Sequence, residues 1–191
     1  MTETQKCLLA YDLSTITIGY SIFDLQTKEL IKLSYEKLNT KELLEKAEMI
    51  DIINKKLFSE YNIQHFVIEE SLKSFASGGS NSDALMRTNA LNLVCQFNIK
   101  DKHHIDPTGM NVNHCRGVVF PMFHKIIRKM KGVKGKDYAF ELVKKELGEK
   151  MFPTKVMKSG PRKGQVVFID EAGDMSDSYI LGKAWMIENF S

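Results

Sequence analysis

Apolar positions in the first forty residues fall into three short runs separated by turn-like pieces. Residues 7–13 (CLLAYDL), 17–25 (TIGYSIFDL) and 29–38 (ELIKLSYEKL) read as β-strands, and the brevity of the connections predicts an antiparallel meander. Residues 41–61 place Leu43, Leu44, Ala47, Ile50, Ile53, Leu57 and Phe58 at helical period, with Asn39 or Thr40 as a cap. A short strand follows at 65–70 (HFVIEE), then a Ser/Gly loop at 74–82 and a helix over 83–97. Residues 102–106 read as a weak fifth strand before Pro107. Helices are expected at 110–130, 136–147 and 174–189, with an insertion-like loop at 148–169. Three strands, a helix, a strand, a helix, a strand and then helices predict an α/β domain on a mixed sheet. The first strand would lie near its centre with the fourth alongside.

One position breaks the apolar pattern of the first strand. Side chains alternate faces along a strand, so Leu8, Ala10 and Asp12 share one face. A bare carboxylate ending an apolar face would cost several kcal/mol unless it were paired, protonated or bound to a metal. On the fourth strand Val67 and Glu69 share a face, and Ile68 and Glu70 share the other. If the two strands are neighbours, Asp12 converges with Glu69, which follows the apolar pattern, or else with Glu70. In the last helix Asp174 and Asp177 are three apart and lie on one face, which continues through Leu181 and Ala184 or Trp185. That stripe predicts that both acids point at the sheet. First-turn capping is the competing explanation for them. Like charges gathered in one pocket call for a hard cation with oxygen ligands, and Mg²⁺ suits that role.

Charge adds a second signal. The 191 residues carry a net +3, but residues 121–165 hold 13 Lys/Arg against 4 Asp/Glu, whereas residues 166–191 hold 1 Lys against 5 acids. A basic block beside an acidic cluster suits a nuclease, with one surface for phosphates and one pocket for metal ions. No apolar run approaches the ~18 residues of a membrane span, and nothing resembles a signal peptide. The expectation is therefore a protein of the cytoplasm or nucleoid. The three cysteines, Cys7, Cys95 and Cys115, are widely spaced and odd in number, which fits reduced thiols. The five histidines fit no zinc spacing.

The segments LAYDLSTITIGYSIFD, FVIEESLKSF, IDPTGMNVNHCRG and GDMSDSYILGKAW together resemble the RuvC-like Holliday junction resolvases of the ribonuclease H-like superfamily, in a phage- or organelle-type variant. The segments come in the family's order and span most of the chain. The resemblance implies a single ribonuclease H-like domain over residues 1–191, with a basic helical and loop segment at about 110–169. The sheet would be mixed and five-stranded, its first three strands antiparallel. It implies an Mg²⁺- or Mn²⁺-dependent endonuclease that acts as a homodimer and nicks two opposing strands of a four-way DNA junction. By motif position Asp12, Glu69, Asp174 and Asp177 would be catalytic and hold the metal ions. Phe75 would reach the junction centre, and Arg116, Lys134 and Lys136 would contact the DNA backbone. The stretch 148–172 is longer than in compact bacterial members, and its Asp170 and Glu171 compete with Asp174 for the metals. An organelle, a phage-infected cell and a bacterial nucleoid all suit such an enzyme.

Three other readings remain. Another ribonuclease H-like nuclease could take flaps or RNA–DNA hybrids. A metal-free DNA-binding module would leave Asp12 unexplained. An actin-like-fold ATP-binding protein shares the strand, D-x-small-Thr, strand pattern but needs two such domains.

Overall fold

The computed structural model describes residues 5–70 and 82–190. Strands β1 (Lys6–Leu13), β2 (Thr17–Asp24) and β3 (Leu30–Lys37) form the antiparallel meander. Helix α1 (Leu43–Glu60) crosses to β4 (Asn62–Glu69), which runs parallel to β1. Helix α2 (Ser82–His103) then leads to β5 (Thr108–Met110), parallel to β4, and completes a sheet of order β3-β2-β1-β4-β5. The remaining elements are α3 (Val112–Val119), α4 (Phe123–Ile127), α5 (Gly135–Leu147), a 3₁₀ turn (Glu149–Met151), the hairpin β6 (Thr154–Val156) and β7 (Val166–Phe168), and α6 (Glu171–Phe190).

Strand β1 is central because it is apolar on both faces, and all of it after Lys6 is buried. Leu9, Tyr11 and Leu13 join Ile18, Tyr20 and Ile22 of β2 in a core covered by α1 and α2. There the Tyr11 hydroxyl donates to Asn54 Oδ1 at 2.9 Å. Leu8 and Ala10 join Phe23 and Val67 in a second core, packed against α6 with α3 and α5 outside it. Helix α6 therefore lies between the sheet and other helices, which is why nearly all its residues from Ala172 to Met186 are buried. Gly182 permits this contact: a Cβ there would stand 2.4 Å from the Phe23 ring and 3.2 Å from Ala10 Cβ.

Four expectations are revised. The fifth strand lies after Pro107, not at 102–106, because α2 continues through His103 and ends where His104 takes φ +57°. The 110–130 helix is two helices, since Pro121 cannot continue the backbone hydrogen-bond ladder from α3. Neither Asn39 nor Thr40 caps α1; Glu42 occupies that position, and the Thr40 hydroxyl bonds to Glu45 instead. The insertion at 148–169 holds the 3₁₀ turn and the β6–β7 hairpin. The three cysteines are free and buried, as expected. Among the described residues no helix is long and apolar enough to cross a membrane.

Candidate active site

The sheet and α6 meet most closely beside Asp12. Its neighbour across the β1–β2 ladder is Gly19. A Cβ on Gly19 would lie 2.3 Å from the carbonyl carbon and oxygen of Asp174 and 2.7 Å from the amide nitrogen of Met175. The first turn of α6 thus rests directly on strand backbone, a contact that only glycine allows. One turn further on, Ser21 Oγ donates to the Ser178 carbonyl at 2.9 Å and pins the helix. With the helix so fixed, the i, i+3 spacing turns Asp174 and Asp177 toward the end of β1. Asp12 and Asp177 are buried, at 6 % and 4 % exposure. Glu69 ends β4 on the same face as Val67, near enough to Asp12 for the charge of each carboxyl to act on the other. Asn92 Nδ2 of α2 donates to the Glu69 carbonyl at 2.8 Å and fixes the strand end.

Two cations enter from the other side. Lys136, in the first turn of α5, places Nζ 2.8 Å from Asp174, 3.5 Å from Asp177 and 4.0 Å from Asp12. Arg116 of α3 is buried; its Nη2 donates to Asp177 Oδ1 at 2.8 Å and its Nη1 to Asn113 Oδ1 at 2.9 Å. Four carboxylates therefore face two cations, so the fully ionised cluster keeps two uncompensated negative charges.

Electrostatics reflect that surplus. Burial, then the charges of Glu69 and Asp177, push the Asp12 carboxyl well above its ordinary range. Burial likewise raises Glu69 and Asp174. At Lys136 burial opposes the charge, but Asp12, Asp177 and Asp174 together outweigh it and hold the ammonium protonated. An all-oxygen donor set with a deficit of two charges fits a divalent hard cation. As placed, the ammonium of Lys136 lies among the acids, and no group of three acid, His or Cys side chains among the described residues closes on a single ion.

The structure brings together Asp12, Glu69, Asp174 and Asp177, the four acids singled out from the sequence. Glu69, not Glu70, is the charge from β4 that acts on Asp12. Asp170 and Glu171 turn elsewhere: Asp170 is almost fully exposed beside Lys155 at 3.4 Å, and Glu171 pairs with Lys37 at 2.7 Å. Lys136 reaches into the acid cluster while its side chain stays half-exposed. Arg116 is buried and paired with Asp177. Lys134 is exposed, at the N-cap of α5. Phe75 lies outside the described residues. The part Arg116 plays in the cluster was readable from its place at i+4 from Val112 and next to Cys115, on the buried face of α3. That of Lys136 had no such signal, because it lies in a run of similar lysines.

No protein-family model matches the sequence, and no curated protein matches it. Solved structures do. The yeast mitochondrial Holliday junction resolvase Ydc2 is similar over 96 % of this chain and 79 % of its own, with a TM-score of 0.59 at 14 % identity. Thermus thermophilus RuvC in complex with a Holliday junction substrate is similar over 94 % of this chain and 91 % of its own, with a TM-score of 0.56 at 10 % identity. A second RuvC structure from the same organism gives a TM-score of 0.54 at 11 % identity, over 93 % of this chain and 92 % of its own. The fold is the ribonuclease H-like fold of these resolvases. The resemblance read from the four sequence segments therefore holds at the level of fold.

Proposed function

We propose that this protein is a divalent-metal-dependent endonuclease that resolves four-way DNA junctions by paired symmetric nicks. The carrying observation is the convergence of Asp12, Glu69, Asp174 and Asp177, from β1, β4 and α6, into one pocket with two surplus negative charges, on a fold shared with junction resolvases. Those four residues would hold Mg²⁺ or Mn²⁺. When bound, such ions supply Lewis-acid polarisation of the phosphodiester and a nucleophilic water at neutral pH. The chain's own residues prepare the pocket. Arg116 orients Asp177 through a buried ion pair, and Lys136 offsets repulsion among the acids while staying half-exposed toward an incoming phosphate. Beside the pocket, residues 121–136 carry Lys125, Arg128, Lys129, Lys131 and Lys134 with no acid among them, a surface suited to a DNA backbone.

The active form in this reading is a two-fold dimer, which presents one site to each of two opposing strands. Helix α2 supports it. Met86, Leu93 and Phe97 are about two-thirds exposed and, with Ala90, follow the four–three–four spacing of a helix-pairing seam. Asp83 and Lys100 extend the same stripe at either end. Antiparallel pairing of two copies about its middle would set Met86 against Phe97, Ala90 against Leu93 and Asp83 against Lys100. Such an enzyme suits the cytoplasm of a bacterial or phage-infected cell and equally an organelle.

The test is competition among a synthetic four-way junction, a flap and an RNA–DNA hybrid, with and without Mg²⁺ or Mn²⁺. The expected result is metal-dependent cutting of the junction at paired positions. Asp12→Asn is expected to reduce cutting to background while junction binding persists. Preferential cutting of the hybrid would instead indicate a ribonuclease H. No cutting of any substrate with either metal would defeat the nuclease reading.

A further inference from the structure

The hairpin between α5 and α6 takes no part in the acid cluster, yet its composition is one-sided. Residues 150–169 contain Lys150, Lys155, Lys158, Arg162 and Lys163 and no acid. Every residue from Thr154 to Val166 except Met157 is exposed. Lys155 has Asp170 nearby, but among the described residues no carboxylate lies within ion-pair reach of Lys158, Arg162 or Lys163. Three unpaired cations at the end of a ribbon repel one another, so their clustering needs an anionic partner to be favourable.

The ribbon is also firmly built. At its base Phe152 is buried, and Phe140, Phe152 and Phe168 meet edge to face with centroids 5.1–6.5 Å apart. Toward the tip, Met157 N donates to the Gln165 carbonyl at 3.0 Å and Gly164 N to the Met157 carbonyl at 2.8 Å. Gly160 and Gly164, at φ +77° and +83°, supply the left-handed residues that close this turn. A preorganised arm loses less conformational entropy on binding than a loose loop would.

Its position points to the partner. Strand β7 ends at Phe168, three residues before α6 begins and six before Asp174. From Phe168 to the tip is about six residues, or roughly 20 Å at ~3.3 Å per residue. That length matches about six base pairs at ~3.4 Å each. We propose that the β6–β7 ribbon grips the phosphates of the duplex arm flanking the strand to be cut, through Lys158, Arg162 and Lys163. This inference rests on the nuclease reading above. The contact is independent of base sequence, since charged ends on a ribbon tip engage phosphates rather than base edges.

The test compares Asp12→Asn, which binds without cutting, with the same chain carrying Lys158→Ala, Arg162→Ala and Lys163→Ala. Each is titrated with junctions having 20-base-pair arms and four-base-pair arms across a range of salt. Melting temperatures of the two are expected to agree, because all three side chains are exposed. On long arms the triple variant is expected to show a log K against log salt slope shallower by about 2–3, close to one for each lost phosphate contact. On four-base-pair arms the difference between the variants is expected to vanish. An unchanged slope on long arms, with the parent binding normally, would overturn this inference alone and leave the cations for another anionic partner. An equal loss on both arm lengths would also overturn it, since it would show a contact near the junction centre. Failure of the parent to bind any junction would bring down the nuclease reading, and the ribbon's role with it.

Discussion

Gly19→Ala is the most direct probe of how the acid pocket is assembled. The added Cβ would lie 2.3 Å from the carbonyl carbon and oxygen of Asp174, where ordinary contact begins near 3.4 Å. The groups it meets are backbone, so no side-chain rotation relieves the overlap. Helix α6 must move off β2 by about 1 Å, the difference between those two distances. Overpacking of this kind costs about 1–3 kcal/mol, which for a chain of this size lowers the melting temperature by roughly 2–12 °C. The catalytic effect should be larger than the thermal one. Asp174 and Asp177 ride on the displaced turn while Asp12 and Glu69 stay on the sheet, and a 1 Å misplacement of reacting groups can cost about 10²-fold in rate. The assay is single-turnover cleavage of a four-way junction in saturating Mg²⁺, well below the melting transition, beside junction affinity in EDTA. The expected outcome is a rate lower by about 10²-fold with affinity within about twofold, because the exposed cations of residues 125–134 make no ion pair with the displaced turn. Cleavage at the parent rate with an unchanged melting temperature would refute the argument that the α6–β2 contact places the acids.

Other consequences can be checked independently. Asp12, Glu69 and Asp174 all have carboxyls raised above the ordinary range, chiefly by burial. Their folded forms keep protons that the unfolded chain releases above about pH 4, so without divalent ions stability should fall as pH rises through the raised values. Thermal melts from pH 4.5 to 8 in EDTA are expected to show this decline, and Mg²⁺ is expected to flatten it; a melting temperature that rises with pH in EDTA would contradict it. Asp12→Asn removes one repelling charge and should melt higher than the parent at pH 8 in EDTA. Arg116→Ala leaves the buried Asp177 with only Lys136, at 3.5 Å, as a cationic neighbour and is expected to cost up to about 3–5 kcal/mol in chemical denaturation, with Arg116→Lys restoring part of that loss. Leu93→Glu puts two like charges at the centre of the proposed α2 seam. It is expected to convert a dimer to a monomer in sedimentation velocity without lowering the melting temperature of the monomer; an unchanged dimer would place the interface elsewhere.

Much of the frame was legible along the chain. The three-strand meander and the central place of β1 follow from apolar residues on both faces of residues 7–13. The candidate acids were visible for a related reason: Asp12 interrupts an apolar face, and Asp174 and Asp177 begin a helical stripe that turns apolar. Errors fell where local pattern is weakest. The three-residue strand β5 carries too few side chains to show alternation, and its place is decided by pairing with Val67–Glu69 of β4. Helix α2 runs on through the polar residues 98–103, with Ile99 buried as an anchor.

The sequence by itself determined which residues could bear the chemistry and roughly which elements would carry them, because hydrophobic periodicity and glycine placement are local properties. Tertiary structure alone decided which cations the acids meet. Arg116 lies 61 residues from Asp177 and Lys136 lies 38 from Asp174, and although the buried face of α3 marks Arg116 as inward-facing, no local spacing says which acid either cation meets. Only the packing of α3 and α5 against α6, itself pressed onto β2 at Gly19, draws them in. Burial then makes those few charges matter far more than the many exposed lysines nearby, because water no longer screens them.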